Sequence, residues 1–333
     1  NLAESERIRA LLGGARDVVV INSCAVTAEA VRQTRQAIRR MRRARPGARL
    51  LVTGCAAEIE RDQLAAMPEV DGLVPNAAKL DARAWNVSVD PAPAPSGHTR
   101  AFVAVQNGCD HACTFCVIPQ GRGPSRSLNV SQVLRAIESD LARGAPEVVL
   151  TGVDVTSWGH DLPGGPRLGA LVRAVLDAFP ALQRLRLSSL DGVEVDDELF
   201  ELIAGEPRVM PHLHLPLQPG SDLILKRMKR RHSRADAVSL VERLRARRPD
   251  IAIGADLIAG FPTEDEAMHA ANRSVVGELG IVHGHVFPYS PRPRTPAARM
   301  PQVDKATIRR RAAELRESVA EVRERWLRTL IGR

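Results

Sequence analysis

The sequence predicts an α/β protein in two parts: an N-terminal open parallel α/β domain followed by a partial (β/α)6 barrel. Three observations lead there. Short runs rich in β-branched residues alternate with longer segments of helical periodicity, the order that builds parallel sheets. Several of these runs are apolar throughout, as strands covered on both faces must be. The stretch Pro91-Ala92-Pro93-Ala94-Pro95-Ser96-Gly97 divides the alternation and reads as a stiff linker between domains.

In the first part, Asp17-Val18-Val19-Val20-Ile21 reads as a buried strand. Residues 28 to 44 have an Arg-rich helical pattern that Pro46-Gly47 ends. Arg49-Leu50-Leu51-Val52-Thr53 gives the second strand, followed by a helix near 58 to 67 and a short strand at 70 to 74. The second part opens near His98. Its predicted strands are 101–106, 147–151, 183–188, 212–215, 251–257 and 282–288. Its predicted helices are 127–143, 167–179, 195–204, 233–247 and 264–279. Six β/α units are too few for a closed eightfold barrel and suit a partial one. A last helix spans about 303 to 329, with Ala306, Ile308, Ala313, Leu315, Val319, Val322, Trp326 and Leu327 as its apolar stripe.

The chain has 333 residues, enough for two domains. No stretch of 18 apolar residues is present, so no membrane partner is expected. Net charge is +8, which suits a polyanion such as RNA. Only Lys79, Lys226, Lys229 and Lys305 among the 47 basic residues are lysines, and this skew is equally a mark of GC-rich coding. Five cysteines is an odd count, ill suited to a disulfide framework. Clustered thiols fit metal work in a reducing cytoplasm.

Cys109, Cys113 and Cys116 form the pattern C-x3-C-x2-C. Three thiolates on one loop hold three irons of a four-iron cubane and leave the fourth open to a small ligand. A structural zinc site completed by His111 is the competing reading, although zinc sites usually pair two CxxC units. The loop follows the first barrel strand, at the end where β/α barrels assemble chemistry.

Other strand ends carry polar or flexible residues. Thr151-Gly152-Val153-Asp154 offers a carboxylate that binds a ligand or caps the next turn. Ser188-Ser189, Leu215-Pro216-Leu217-Gln218 and the Gly254 to Glu264 segment end later strands. His212 and His214 share one strand face, as a metal pair or, preferably, as packed hydrogen-bonding histidines. Arg122, Arg126 and the basic run Lys226 to His232 offer phosphate contacts or solvated faces. Cys24 and Cys55 each follow a first-domain strand and are a second site or two buried cysteines.

Taken together, these segments resemble the radical SAM methylthiotransferase family over nearly the whole chain. The resemblance rests on Asn22-Ser23-Cys24-Ala25-Val26-Thr27, Thr53-Gly54-Cys55-Ala56, the three-cysteine loop with Gly121-Arg122-Gly123, His214-Leu215-Pro216-Leu217-Gln218, Arg227-Met228-Lys229-Arg230 and Gly260-Phe261-Pro262-Thr263-Glu264. Cys109-Asp110-His111 and Gly121 to Ser127 suit the branch acting on threonylcarbamoyladenosine in tRNA.

That resemblance implies a methylthiotransferase domain over 1–88, a linker over 89–97, a radical SAM domain over 98–328 and, at 329–333, the start of an absent RNA-binding TRAM module. It implies two [4Fe–4S] clusters and S-adenosylmethionine (SAM). The first cluster would sit on Cys109, Cys113 and Cys116; the auxiliary one on Cys24, Cys55 and a third cysteine expected just before Asn1. SAM would meet Gly152, Asp154, Ser188, Gln218, Ile258 and Gly260, and substrate RNA Arg122, Arg126, Lys229 and Arg230. Pro219 departs from the family, where Ser is usual.

The implied reaction adds a methylthio group to C2 of the modified adenosine next to the anticodon. Partners would be the tRNA anticodon stem-loop, a flavodoxin or ferredoxin as electron donor, and a sulfur donor. The alternatives are isopentenyladenosine in tRNA, an aspartate of a ribosomal protein, or a non-catalytic iron–sulfur RNA-binding protein.

Overall fold

A computed structural model describes residues 2–13, 17–86 and 99–332 of the chain; Asn1 and the Pro-rich linker reading fall outside these residues. The N-terminal part begins with helix α1 (Leu2–Leu11), which the periodicity did not predict. Its charged sequence buries only a short stripe around Ile8 and Leu11. Strands β1 (Val18–Ser23), β2 (Arg49–Gly54) and β3 (Gly72–Leu73) then form a parallel sheet in that order. Helix α2 (Ala28–Ala44) starts where Thr27 accepts a hydrogen bond from the Ala30 amide, an N-cap that satisfies one orphan donor. It buries Val31, Thr34 and Ile38 and exposes Arg32, Arg39, Arg40 and Arg43, while half-buried Arg42 donates to the Ala48 and Glu69 carbonyls.

The helix expected near 58 to 67 is two short helices, α3 (Cys55–Ile59) and α4 (Arg61–Ala65). The first starts at Cys55 itself. Glu60 leaves the helical region, and its carboxylate instead pairs with Arg35 and Arg292.

The second part is built on β4 (Arg100–Ala104), β7 (Glu147–Thr151), β8 (Arg184–Leu187), β9 (His212–Gln218), β10 (Ala252–Ala259) and β11 (Ile281–Pro288). They are parallel and follow one another in space in chain order. A Ser189–His214 bridge joins the β4–β7–β8 and β9–β10–β11 sheets into one arc. The predicted first strand, 101–106, stops at Ala104. Gln106–Asn107 (β5) instead pairs antiparallel with Arg126–Ser127 (β6). Between β5 and β6 lie the three cysteines and helix α5 (Ile118–Arg122).

Helices α6 (Val130–Ala142), α7 (Leu168–Ala178), α8 (Asp197–Gly205), α9 (Asp222–Arg227), α10 (Arg234–Arg247) and α11 (Glu266–Glu278) cover the outside of the arc. Two begin with capping boxes, Asn129 with Gln132 and Ser233 with Asp236, each satisfying two backbone donors. One continuous core runs from Ala101 to Val322.

Helix α12 (Lys305–Arg328) closes the far edge against β11 and α11. Its buried face is Ile308, Arg311, Ala312, Leu315, Ser318, Val319 and Val322. The expected stripe is corrected at Ala306, Ala313 and Leu327, which face solvent. Each fully buried aliphatic side chain contributes about 1.5–3 kcal/mol. The face turns to include Arg311 because its guanidinium reaches buried Glu264 at 3.0 Å.

Candidate functional site

The three-cysteine loop is pinned at both ends. β5 and β6 clamp its base, and the Cys109 amide donates to the Gly123 carbonyl at 3.1 Å. Gly108 has φ +79°, and a Cβ there would sit 1.9 Å from the Pro124 carbonyl oxygen, so only glycine fits. Mid-loop, the Thr114 amide donates to Met228 O and its hydroxyl to Arg227 O, while Thr114 O accepts from the Ala297 amide. Phe115 meets Phe261 edge-on at 6.4 Å, and Phe261 meets Tyr289 at 5.4 Å. A small core of Ile224, Met228, Ile258 and Ala297 fills in beneath them.

All three cysteines line a cavity of about 290 Å³ at the carboxyl ends of the strands. Asp154, Gln218, Arg230, Ile258 and Tyr289 line it too. Val26 and Thr27 from the first domain form its cover. That cover is tied down by the Ala28 amide donating to Ser290 Oγ at 3.0 Å.

Burial pushes the Cys109 thiol up to about 12 and the Cys116 thiol up to about 11. The Cys109 sulfur lies 3.8 Å from Asp154 Oδ2. Burial also raises the Asp154 carboxyl, but His111 at 2.7 Å and the Ser157 hydroxyl pull it below its ordinary value. The same Asp154 contact lifts the His111 imidazole. Arg230 reaches the Cys113 sulfur at 3.7 Å. Tyr289 is pushed up to about 12 by burial.

The donor set fits an iron–sulfur cubane better than one ion. A single zinc at about 2.3 Å from each sulfur would draw the sulfurs to about 3.8 Å apart. Among the described residues, the three cysteine sulfurs do not form a group lying wholly within 4.8 Å; the group of that kind at Cys109 is with His111 and Asp154. Cys109 and Cys116, whose thiols burial pushes up, also suit a metal cluster whose positive charge would replace their protons.

The structure sorts the sequence-predicted residues. Asp154, Gln218, Ile258 and Arg230 join the three cysteines around the cavity. Gly152 stands behind it: its missing side chain admits Gln106, whose Oε1 accepts from the Val153 and Asp154 amides. Ser189 lines the cavity where Ser188 was expected. Gly260 is corrected as a ligand residue. It packs against Ile308 of α12, and its amide donates to Glu264. The Gly260 to Glu264 segment thus anchors the last helix.

Part of the basic run turns inward, while Lys226, Lys229 and Arg231 stay exposed. Arg230 donates to Asp191 and the Pro216 carbonyl; Arg231 pairs with Glu194 and Asp191. The Arg230 guanidinium is thus buried in the cavity wall beside Asp191, while that of Arg231 remains accessible. Arg122 likewise turns inward: it forms a bidentate pair with buried Glu4. Arg126 is exposed.

Cys24 is half-buried and Cys55 buried. Both stand just past the paired Ser23 and Gly54 of β1 and β2. Cys55 abuts the cysteine-loop helix: a Cβ on Gly121 would lie 3.0 Å from Cys55 Cβ. Asn76 spans the seam, donating to the Gly121 carbonyl and lying 3.9 Å from the Cys55 sulfur.

Asp191 and Asp256, within strand-end segments that the sequence offered as ligand-lining, do line the cavity, whereas sequence reading missed Tyr289 and Phe287. Each is one ordinary residue on a strand or loop, with no local motif to flag it. His212 and His214 prove to be part of a larger group. His214 meets Asp256 at 3.1 Å, and His283 and His285 of β11 join them.

The profile of the Radical SAM superfamily matches residues 103–272, and that of the uncharacterized protein family UPF0004 matches residues 4–75. The chain is 45% identical to the threonylcarbamoyladenosine tRNA methylthiotransferase MtaB of Rickettsia prowazekii, over 95% of this chain and 80% of that one. It is 35% identical to the tRNA-2-methylthio-N(6)-dimethylallyladenosine synthase of Chloroflexus aurantiacus, over 97% and 76%. In fold it is similar to the radical SAM methyltransferase TsrM from Kitasatospora setae (TM-score 0.60, 17% identity, 84% of this chain and 65% of that chain). With the three thiols at the strand ends and a UPF0004 domain above them, the chain belongs to the radical SAM methylthiotransferase family.

Proposed function

We propose that this protein adds a methylthio group to C2 of N6-threonylcarbamoyladenosine next to the anticodon of tRNA. The observation that carries the reading is the covered cavity with three thiols on its wall, in a chain 45% identical to a relative named for that reaction. A [4Fe–4S] cluster on Cys109, Cys113 and Cys116, with SAM bound, supplies one-electron sulfonium cleavage and hydrogen-atom abstraction.

The chain's own groups position and shield. Asp154, held anionic beside His111, offers an acceptor to the ammonium of SAM. Ile258 and the nearby ring of Tyr289 give the adenine an apolar wall, and Gln218 supplies an amide. Gln218 holds φ +69°, a costly conformation for a side-chain-bearing residue and one that recurs at ligand sites. Arg230 places positive charge against Cys113.

Cys24 and Cys55 are proposed as ligands of the auxiliary [4Fe–4S] cluster. Cys55's place against α5, with Cys24 at the end of the neighbouring strand, supports this. Arg126 and Lys229 are proposed as phosphate contacts for the anticodon stem-loop. Flavodoxin or ferredoxin as reductant, a separate sulfur donor and a cytoplasmic setting complete the proposal. Among the described residues no helix is long and apolar enough to cross a membrane.

The test is an anaerobic reaction of the reduced enzyme with SAM and three substrates: tRNA bearing threonylcarbamoyladenosine, tRNA bearing isopentenyladenosine, and the ribosomal-protein substrate. Methylthiolation of the first alone is expected. Preference for either of the others would overturn the substrate assignment.

A further inference from the structure

Four of the nine histidines in the chain gather on the last three strands of the arc: His212 and His214 on β9, His283 and His285 on β11. Between them stands Asp256 of β10. Asp256 Oδ1 lies 3.1 Å from His214 Nε2 and 3.0 Å from His285 Nδ1. These three atoms all fall within 4.8 Å of one another. The Nε2 of His285 faces the Nε2 of His283 at 3.2 Å. The rings need a gap in the sheet face. Gly254 supplies it: a Cβ there would come within 2.6 Å of His214 Nδ1 and 3.2 Å of His212 Nε2.

We propose that His214, Asp256 and His285 form a binding site for one divalent transition-metal ion of the zinc or nickel type. Two imidazole nitrogens and one carboxylate oxygen are the donors such borderline ions prefer. Coordination needs a lone pair on His214 Nε2 and on His285 Nδ1. The His285 proton then resides on Nε2, where it donates to His283. A metal-bound histidine is commonly held by such an outer partner, which fixes its tautomer and ring angle. His283 thus orients a ligand. Three protein donors leave coordination positions free. Asp256 also lines the cysteine cavity, so a free position can take an oxygen atom of a molecule bound there. Half-exposed His285, with 52% of its side chain accessible, gives an ion a way in. The site uses none of the cysteines, and it stands or falls independently of the methylthiotransferase reading.

The test uses full-length protein with its iron and sulfide in place, purified without oxygen and titrated with Zn²⁺ by calorimetry. Zinc K-edge absorption then reads the ligand shell. One equivalent is expected, in a shell of nitrogen and oxygen with imidazole scattering and no sulfur. His285→Ala, at a half-exposed position, should retain its iron and sulfide and weaken the affinity by more than the roughly tenfold to hundredfold that loss of an outer partner costs. Asp256→Asn should do the same. Absence of uptake, a sulfur-containing shell, or unchanged affinity in His285→Ala would each overturn the proposal. A methylthiotransferase assay on the same preparation reports separately on the proposed function.

Discussion

The three-cysteine loop and the Cys24/Cys55 pair face each other across one seam, yet they are assembled in opposite ways. The loop is local. Its sulfurs come from eight consecutive residues, and its backbone is fixed by Gly108, Thr114 and the β5–β6 clamp. The pair is assembled by topology: two strand ends become neighbours only because β1 and β2 pair in register from Val18–Arg49 to Ser23–Gly54. A local site needs only its loop to hold shape. A topological site fails whenever the domain carrying it shifts. The loop should therefore govern the first chemical event, and the pair only the later one.

Cys113→Ala tests the local half and should have the largest effect. It removes the sulfur that Arg230 approaches, and with it one of the three proposed cluster ligands. Loss of the iron bound there and of all 5′-deoxyadenosine formation is expected, measured by iron analysis and by chromatography of the SAM products. Normal turnover in this variant would remove the basis for the cavity's role.

Cys24→Ala tests the other half. SAM cleavage should persist while methylthiolated tRNA disappears, scored by mass spectrometry of the digested nucleosides. If both activities vanish together, the two sites are not separable and the contrast fails.

The third test concerns what holds the halves together. Glu4 of α1 pairs with Lys79 at 2.8 Å and with Arg122 of α5 at 2.7 Å, and all three are largely buried. Burial raises the Glu4 carboxyl, but the hydrogen bonds and charge of Arg122, with Lys79, bring it down to about 2. Lys79 also ends below its ordinary value, because desolvation outweighs its attraction to Glu4. The stabilisation therefore belongs to Glu4 with Arg122. A depressed carboxyl contributes stability above its ordinary value of 4.5, and loses it as pH falls towards about 2. Glu4→Gln should cost about 3 kcal/mol at pH 7, and the gap to wild type should close across that window. Denaturant unfolding at several pH values measures it. A gap independent of pH would mean that Glu4 acts by packing alone.

The same contrast explains what the sequence disclosed. Cys109, Cys113 and Cys116 are legible because spacing alone carries their chemistry. The strands are legible because burial on both faces demands apolar runs. A motif shows residue types but not the direction a side chain takes. Gly260 serves α12, and Arg122 and Arg230 answer carboxylates that burial left in need of cations. Tyr289 was invisible because the cavity collects it from the end of β11, apart from every motif.

Gly121→Ala probes the seam itself and should have the smallest effect. The new Cβ would stand 3.0 Å from Cys55 Cβ and 3.3 Å from its Cα, closer than ordinary contact. Neither atom belongs to a flexible side-chain end, so α3 or α5 must move by a few tenths of an ångström. Alanine's better helix propensity offsets part of the strain in α5. The net cost should be about 1 kcal/mol. The displacement falls on the Cys55 side, since α5 is tethered to Glu4 through Arg122. Methylthiolation should therefore slow more than SAM cleavage does, which single-turnover assays of both products can resolve. Equal slowing would show that the seam transmits strain to the three-cysteine loop as readily as to Cys55, and that the local site is less self-contained than its spacing implies.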